Sequence, residues 1–336
     1  MHSHFPANPL RSPRALGATG LFLAAAVVLA TMPGLLGHRI GDAVSSVEDA
    51  RPIWLWTAAF GFAASLLGSA WSWRSTLALC GGRLTRSDAA ARYGVGSLVN
   101  SLCPVRIGEA ARIALFARVL DGEDRGWRMG GVFAVITATR CLVFTVVVIC
   151  GAAVGALPVW PIVLLGCLAG GAGSIAFATR NRTPHSHVAH ALDAFRAIGR
   201  SPAAGARIAG WIVAATAARF TGATAIAAAI GVHSPVTAAL IIVPALDLAG
   251  LLPLSGNLGI TSGAVAVALQ SHGVGISQAL AAGLAFHAVE TGAGITFGAA
   301  SALLLFARRR VFVLAAAGAA ACLAAAFTAT VLLPLA

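Results

Sequence analysis

The sequence has little charge and no lysine. Only 10% of its 336 residues are charged, and Asp and Glu together number 11, whereas about a quarter of an ordinary soluble domain is charged. This composition excludes a soluble enzyme, a disordered regulator and a disulfide-rich secreted scaffold. The six cysteines form no CxxC pair, and most lie in apolar runs where Cys acts as a small hydrophobe. We therefore expect neither disulfides nor a metal site from them.

Motifs of the common catalytic sites are also missing. The chain has no GxxxxGK[ST] loop, no HExxH, no GxSxG elbow and no dinucleotide-binding fingerprint. We therefore expect a protein that is not an enzyme and carries no cofactor. The three histidines of HSHVAH at 185–190 have a spacing that could bind a metal ion, but a solvated linker is the simpler interpretation.

Apolar length is what the sequence has in abundance. Hydrophobic residues make up 58% of the chain, and its mean hydropathy is +0.87. A membrane-spanning helix needs about 20 mostly apolar residues. The segments that meet this requirement are 15–37, 52–73, 129–157, 161–178, 208–231, 276–307 and 311–333. We predict an all-α polytopic membrane protein with about seven full spans.

Two further apolar regions, 93–117 and 235–272, are interrupted by polar residues, Pro and Gly. The first contains NSLCPVRIGEAAR and the second contains LDLAGLLPLSGNLGITSGA. Irregular backbone at membrane depth is tolerated only where protein or a wet cavity surrounds it. We predict broken or re-entrant helical hairpins here, although a pair of short helices that cross and return would give the same sidedness.

All 23 basic residues are arginines, and the formal net charge is +12. With the N-terminus inside, 17 arginines fall in inside segments, two fall outside and four lie at membrane depth, as the positive-inside rule requires. Basic loops of this kind orient membrane proteins and meet anionic headgroups, so we expect no nucleic-acid partner. We predict a multi-pass protein of the cytoplasmic (inner) membrane, with a cytoplasmic tail at 1–14.

The membrane domain, 15–336, is predicted to have two halves, 15–178 and 208–336, joined by a cytoplasmic linker at 179–207. In both interrupted regions an apolar segment leads to Pro, then Gly, a small-residue helix, a polar turn and a full span. In the predicted topology the first region enters from inside and the second from outside, which makes an inverted repeat. Such repeats place transporter substrates near the midplane. The alternative is that Pro and Gly only kink two ordinary helices.

Ionisable residues at membrane depth cost about 2.5–3.5 kcal/mol each on insertion scales, so they need partners or water. Near the first break, Glu109 and Arg112 share a helix face at i,i+3, and Arg106 is close by. Arg140 lies mid-span, and Asn100 could add a neutral donor. Because Arg binds phosphate bidentately, we interpret this set as an anion or lipid-phosphate site. A structural ion-pair network is the alternative.

The second region carries acidic and imidazole groups instead. Asp247 precedes its break, Asn257 lies inside it, and His287 and Glu290 are i,i+3 in the following span. These groups could relay protons or bind a cationic headgroup, since His titrates in the physiological range. A hydrogen-bonded cluster between helices explains them equally well.

The segment NSLCPVRIGEAARIALFARVL resembles the signature of the lysylphosphatidylglycerol synthase membrane-domain family, also called flippase-like, and LLPLSGNLGITSGAVAVAL is similar to its second signature. The resemblance covers about residues 15–307. It implies a polytopic domain that moves polar lipids between leaflets, joined in some members to a cytosolic synthase that is not expected here. The matching positions are Asn100, Pro104, Arg106, Gly108, Glu109 and Arg112, followed by Pro253, Gly256 and Gly259.

We therefore predict flippase-like translocation of a polar headgroup, that of an anionic phospholipid or an aminoacylated lipid. Membrane lipids are the expected partners, together with a separate lipid-modifying enzyme as a second candidate. The alternatives are a non-transporting partner of a lipid- or glycan-modifying enzyme and a small-anion carrier. The candidate substrate-binding residues are Asn100, Pro104, Arg106, Gly108, Glu109, Arg112, Arg140, Asp247, Pro253, Asn257, Gly259, His287 and Glu290.

Overall fold

The computed structural model describes residues 50–102, 107–122, 124–157, 195–249 and 258–306. Regular structure in these ranges is entirely helical, which confirms the predicted all-α class. A short helical stretch occupies 195–200. The remaining helices are α1 (Pro52–Leu79), α2 (Arg86–Leu102), α3 (Ile107–Ala117), α4 (Arg125–Ala153), α5 (Pro202–Ala229), α6 (Pro235–Ala249), α7 (Leu258–Gln270) and α8 (Ile276–Phe306).

Four of these helices, α1, α4, α5 and α8, are long and apolar enough to cross a membrane. They have 28, 29, 28 and 31 residues, or more than about 40 Å at 1.5 Å per residue, and hydrocarbon cores are about 30 Å thick. They overlap the predicted spans 52–73, 129–157, 208–231 and 276–307 over most of their length. The predicted spans 15–37, 161–178 and 311–333 lie outside the described residues.

Helices α1 and α5 begin and end with the same local devices. Each starts with a proline, Pro52 or Pro202, at a position where the missing N–H costs no helical hydrogen bond. Each is followed by a glycine, Gly81 or Gly231, with φ of 86° or 75°. The amide after each glycine donates back to the last helical turn at 3.0 and 2.9 Å. These are Schellman motifs, which satisfy carbonyls left free at a helix end.

Each region predicted to be interrupted contains two short helices, α2 and α3 in the first and α6 and α7 in the second. Gly96 of α2 lies against Gly108 and Arg112 of α3, and Asn100 also approaches Gly108. Residues nearer the end of α2 therefore contact residues nearer the start of α3. Helices α2 and α3 lie side by side in opposite directions. Helix α6 likewise packs against α7.

Glycine lets the long helices approach at the backbone. A Cβ atom added at Gly61 of α1 would lie 2.8 Å from the Ala218 carbonyl oxygen and 2.9 Å from the Gly222 nitrogen of α5. In the same way, a Cβ at Gly298 of α8 would lie 2.8 Å from the Gly94 carbonyl oxygen of α2. Small residues permit such close packing in membranes. These contacts assemble α1, α2, α5 and α8 around a polar interior.

Candidate functional site

A cavity of about 380 Å³ is lined by α1, α2, α4, α5, α6 and α8, and Arg112 contributes to it from α3. It lies halfway along the spanning helices. Arg140 comes 15 residues after Arg125 and 13 before Ala153, the two ends of α4. Because each residue adds 1.5 Å to a helix, the backbone of Arg140 is about 20 Å from either end of α4. The cavity is therefore placed at membrane depth.

Arg112 is a buried cation with several contacts. Its Nη1 atom is 3.1 Å from Oε1 of Glu109, and its side chain is only 7% exposed. The guanidinium carbon lies 4.1 Å from the centroid of the Tyr93 ring, a cation–π arrangement. The Nε atom is buried without a hydrogen-bond partner in the described part of the chain. The predicted i,i+3 pair of Glu109 and Arg112 is thus observed.

Arg140 lines the cavity from the middle of α4. Its guanidinium lies close to Tyr93, which also lines the cavity. Among the residues that the structure describes, no carboxylate forms an ion pair with it; Glu109 and Asp247 act on it only from a longer range. Arg140 therefore presents to the cavity a positive charge that no carboxylate of the described ranges pairs directly.

Arg219 of α5 is in the opposite situation. Its Nη1 atom is 2.6 Å from Oδ1 of Asp247, and its Nη2 atom is 3.2 Å from Oε1 of Glu290. These carboxylates belong to α6 and α8, so one guanidinium joins three helices. Two negative charges face one positive charge, and Arg219 has no positive charge left for a ligand.

Neutral polar groups complete the lining. Asn100 has its Oδ1 atom buried with no hydrogen-bond partner in the described ranges. Ser97 is buried beside it on α2. On α8, the Nε2 atom of His287 lies 3.4 Å from the Thr291 hydroxyl. The cavity can therefore offer both donors and acceptors to a hydrated polar group.

Over residues 17–298 the chain matches the family described as the lysylphosphatidylglycerol synthase TM region. The chain belongs to this family. The match confirms the resemblance stated from the two sequence segments, and with the four spanning helices it identifies this family member as a multi-pass membrane protein. Membership points to a role connected with membrane lipids. No curated protein matches the chain significantly in sequence.

The structure brings many of the predicted site residues of this family member together. Those that line the cavity are Asn100, Arg112, Arg140, Asp247, His287 and Glu290. Glu109 joins them through Arg112, whereas Gly108 packs against α2, and Gly259 lies in the first turn of α7. The predicted site residues Pro104, Arg106, Pro253 and Asn257, and the matching position Gly256, lie outside the described residues.

Among the cavity residues that were not predicted as part of the site, Arg219 and Tyr93 make the most distinctive contacts. Arg219 had a signal, since it is the one charged residue in the predicted span 208–231. Tyr93, the single tyrosine of the chain, stands in α2 between small and polar residues and gave no such signal. The sequence also did not indicate that the basic and acidic sets share one cavity.

Proposed function

We propose that this protein moves the polar headgroup of an anionic phospholipid, or of an aminoacylated lipid, across the cytoplasmic membrane. The observation that carries the proposal is Arg140, a mid-span cation that faces the cavity without a carboxylate partner in the described ranges. A charge at this depth is costly, and an anionic ligand would recover that cost. The proposal assigns no catalytic step to these residues.

The size of the cavity supports a headgroup rather than a whole lipid as the ligand. Its volume is about 380 Å³. This is near the lower end of the range for small-ligand pockets. A hydrated headgroup would fit, and its acyl chains would stay in the surrounding hydrocarbon.

We propose further that the two sets of helices, α1–α4 and α5–α8, form the inverted repeat. The starts of equivalent helices are 149 to 151 residues apart: Pro52 and Pro202, Arg86 and Pro235, Ile107 and Leu258, Arg125 and Ile276. Every pair of helices in contact within the first set has a counterpart in contact within the second. This correspondence supports a duplicated unit.

The direction of the central helices supports inversion of that unit. Gly61 of α1 lies against Gly222 of α5, and Gly68 lies against Ala215. Residue numbers therefore rise along α1 as they fall along α5, so these equivalent helices are antiparallel. An inverted repeat requires this relation.

The cavity lining supports a substrate site between the repeats. Eight pairs of lining residues are 150 positions apart: Phe62 and Ile212, Ser65 and Ala215, Leu66 and Thr216, Ser69 and Arg219, Tyr93 and Val243, Ser97 and Asp247, Arg140 and Glu290, Phe144 and Gly294. Both units line the cavity equally. If one unit rocked against the other, the cavity would open to each side of the membrane in turn. The proposed topology keeps seven spans and a cytoplasmic N-terminus.

Translocation can be measured with the full chain in liposomes that contain phosphatidylglycerol carrying a fluorescent headgroup. We expect wild type to expose inner-leaflet label to an external quencher, and Arg140→Gln to slow this at least tenfold. Arg83→Gln is the matched control, because Arg83 is exposed and does not line the cavity. Equal rates for wild type and Arg140→Gln would reject the site.

Two other outcomes would favour the alternative functions. Uptake of a soluble anion by the same liposomes, without movement of the lipid, would indicate a small-anion carrier. Lipid binding without any movement would indicate a membrane partner of a lipid-modifying enzyme. Either result would contradict the proposed translocation.

A further inference from the structure

We infer that Tyr93 is a positioning residue that holds Arg112 and Arg140 together as one clamp for a phosphodiester group. The inference rests on the proposed function, because it names the group of the lipid that the cavity would bind. Tyr93 is 4% exposed and lines the cavity from α2. Its ring contacts the guanidinium of Arg112 from α3, and it lies close to the guanidinium of Arg140 from α4.

Tyr93 uses a different part of its side chain for each arginine. Its ring face lies 4.1 Å from the guanidinium carbon of Arg112. Its hydroxyl lies close to Arg140 and to Ser69, a buried residue of α1, and all three residues line the cavity. The ring face of an aromatic group carries partial negative charge, and the hydroxyl oxygen can accept a hydrogen bond. One neutral residue can therefore attract both cations.

Tyr93 is a neutral side chain, whereas the partners of Arg219 are charged. Two carboxylates hold Arg219 in place, but they also cancel its charge. Tyr93 orients Arg140 and stacks on Arg112 without adding negative charge. Valine occupies the repeat-equivalent position, Val243, and offers neither a ring nor a hydroxyl. The described clamp therefore belongs to the first set of helices.

A phosphodiester matches the charge and the donors of this clamp. It has one negative charge shared by two free oxygens, and guanidinium groups bind such oxygens in a planar, directed way. Arg112 lines the cavity and, in the described ranges, uses only Nη1 in an ion pair, while Arg140 lines the cavity with no ion-pair partner there. Each arginine can therefore donate to one oxygen of the same group.

The probe for this site is short-chain dioctanoyl phosphatidylglycerol, added to the full-length protein in detergent and measured by titration calorimetry. Tyr93→Phe keeps the ring and removes the hydroxyl, so we expect binding to weaken by about threefold to tenfold. Tyr93→Leu removes both and should weaken binding more than tenfold. Phe133→Leu is the matched control, since Phe133 packs on Trp73 and does not line the cavity.

A double-mutant cycle separates positioning from general support of the fold. In an Arg140→Gln background, Tyr93→Phe should weaken binding by less than twofold, because the hydroxyl has lost the group that it orients. If Tyr93 only supported packing, the loss would be equal in both backgrounds. Equal losses, or unchanged binding by Tyr93→Leu, would overturn the positioning role. Tighter binding of inorganic phosphate than of the lipid would overturn the phosphodiester assignment.

The outcome for Tyr93 is distinguishable from that for translocation. The wild-type protein could bind the short-chain lipid and show the expected dependence of Tyr93→Phe on Arg140, yet move no label in liposomes. That result would support the clamp and reject translocation. A wild type that moves label, with Tyr93→Leu unchanged in binding and rate, would reject the clamp alone. A wild type that binds no short-chain lipid would reject the clamp directly.

Discussion

Arg219 connects α5 to α6 and α8 through Asp247 and Glu290. Its replacement would leave two carboxylates near each other in a partly buried site without their shared cation. We expect Arg219→Gln to lower the free energy of unfolding by about 1–3 kcal/mol, between the values for exposed and buried pairs. Asp247→Asn and Glu290→Gln should each cost less. Unfolding in detergent, followed by intrinsic fluorescence, would measure these differences.

The triple variant of Arg219→Gln, Asp247→Asn and Glu290→Gln is the informative control. It removes all three charges, so it should recover part of the stability that Arg219→Gln loses. A loss as large as that of the single arginine variant would mean that packing of the Arg219 side chain, rather than its charge, stabilises the junction.

Local spacing predicted only part of the site. Glu109 and Arg112 are three positions apart on one helix, so their ion pair follows from helical geometry. Arg219 and its carboxylate partners are 28 and 71 positions apart. No periodicity relates residues at such distances. Their pairing depends on which helices pack together, and local patterns in a single sequence do not predict this.

The crossing of α1 and α5 depends on the absence of a side chain at Gly61. A Cβ there would meet backbone atoms of Ala218 and Gly222 at 2.8 and 2.9 Å, and backbone cannot move aside as a side chain can. We expect Gly61→Ala to lower the free energy of unfolding in detergent by about 1–3 kcal/mol, the usual cost of overpacking. Gly210→Ala on α5 is the control, because nothing lies within 4 Å of its Cβ position.

Alanine has a higher helix propensity than glycine, so Gly210→Ala should be neutral or stabilising by up to about 1 kcal/mol. Equal stability of Gly61→Ala and Gly210→Ala would mean that the two helices can separate without cost. The close crossing would then not be a stabilising contact.

Apolar length predicted the spanning helices well but not their ends. The predicted span 52–73 stops before Arg74, whereas α1 continues to Leu79. The Nε atom of Arg74 donates to the Leu84 carbonyl at 2.8 Å, so the charge is satisfied without ending the helix. A span predicted from hydropathy ends at the first charged residue. The helix itself can continue as long as its charged side chains find polar partners or water.

Arginines near the ends of the first set of helices have a structural role besides orientation. Arg128 donates to the Cys80 carbonyl at the end of α1, and Arg92 donates to the Leu115 carbonyl near the end of α3. Basic groups favour the C-terminal ends of helices, where carbonyls lack partners. In the proposed topology these ends face the cytoplasm, so the same residues would fix helix ends and set sidedness.

The proposed inverted repeat makes a prediction about the whole molecule that membrane sidedness can test. Arg83 and His233 are exposed, follow α1 and α5 respectively, and are 150 positions apart. In a variant without native cysteines, we expect Arg83→Cys to react with a membrane-impermeant maleimide only from the cytoplasmic face. His233→Cys should react only from the opposite face, because inversion places equivalent turns on opposite sides. Inside-out vesicles and intact cells give the two exposures, and permeabilised samples control for reactivity. If both cysteines reacted from the same face, the two sets of helices would be parallel copies, and a cavity alternately open to each side would lose its structural basis.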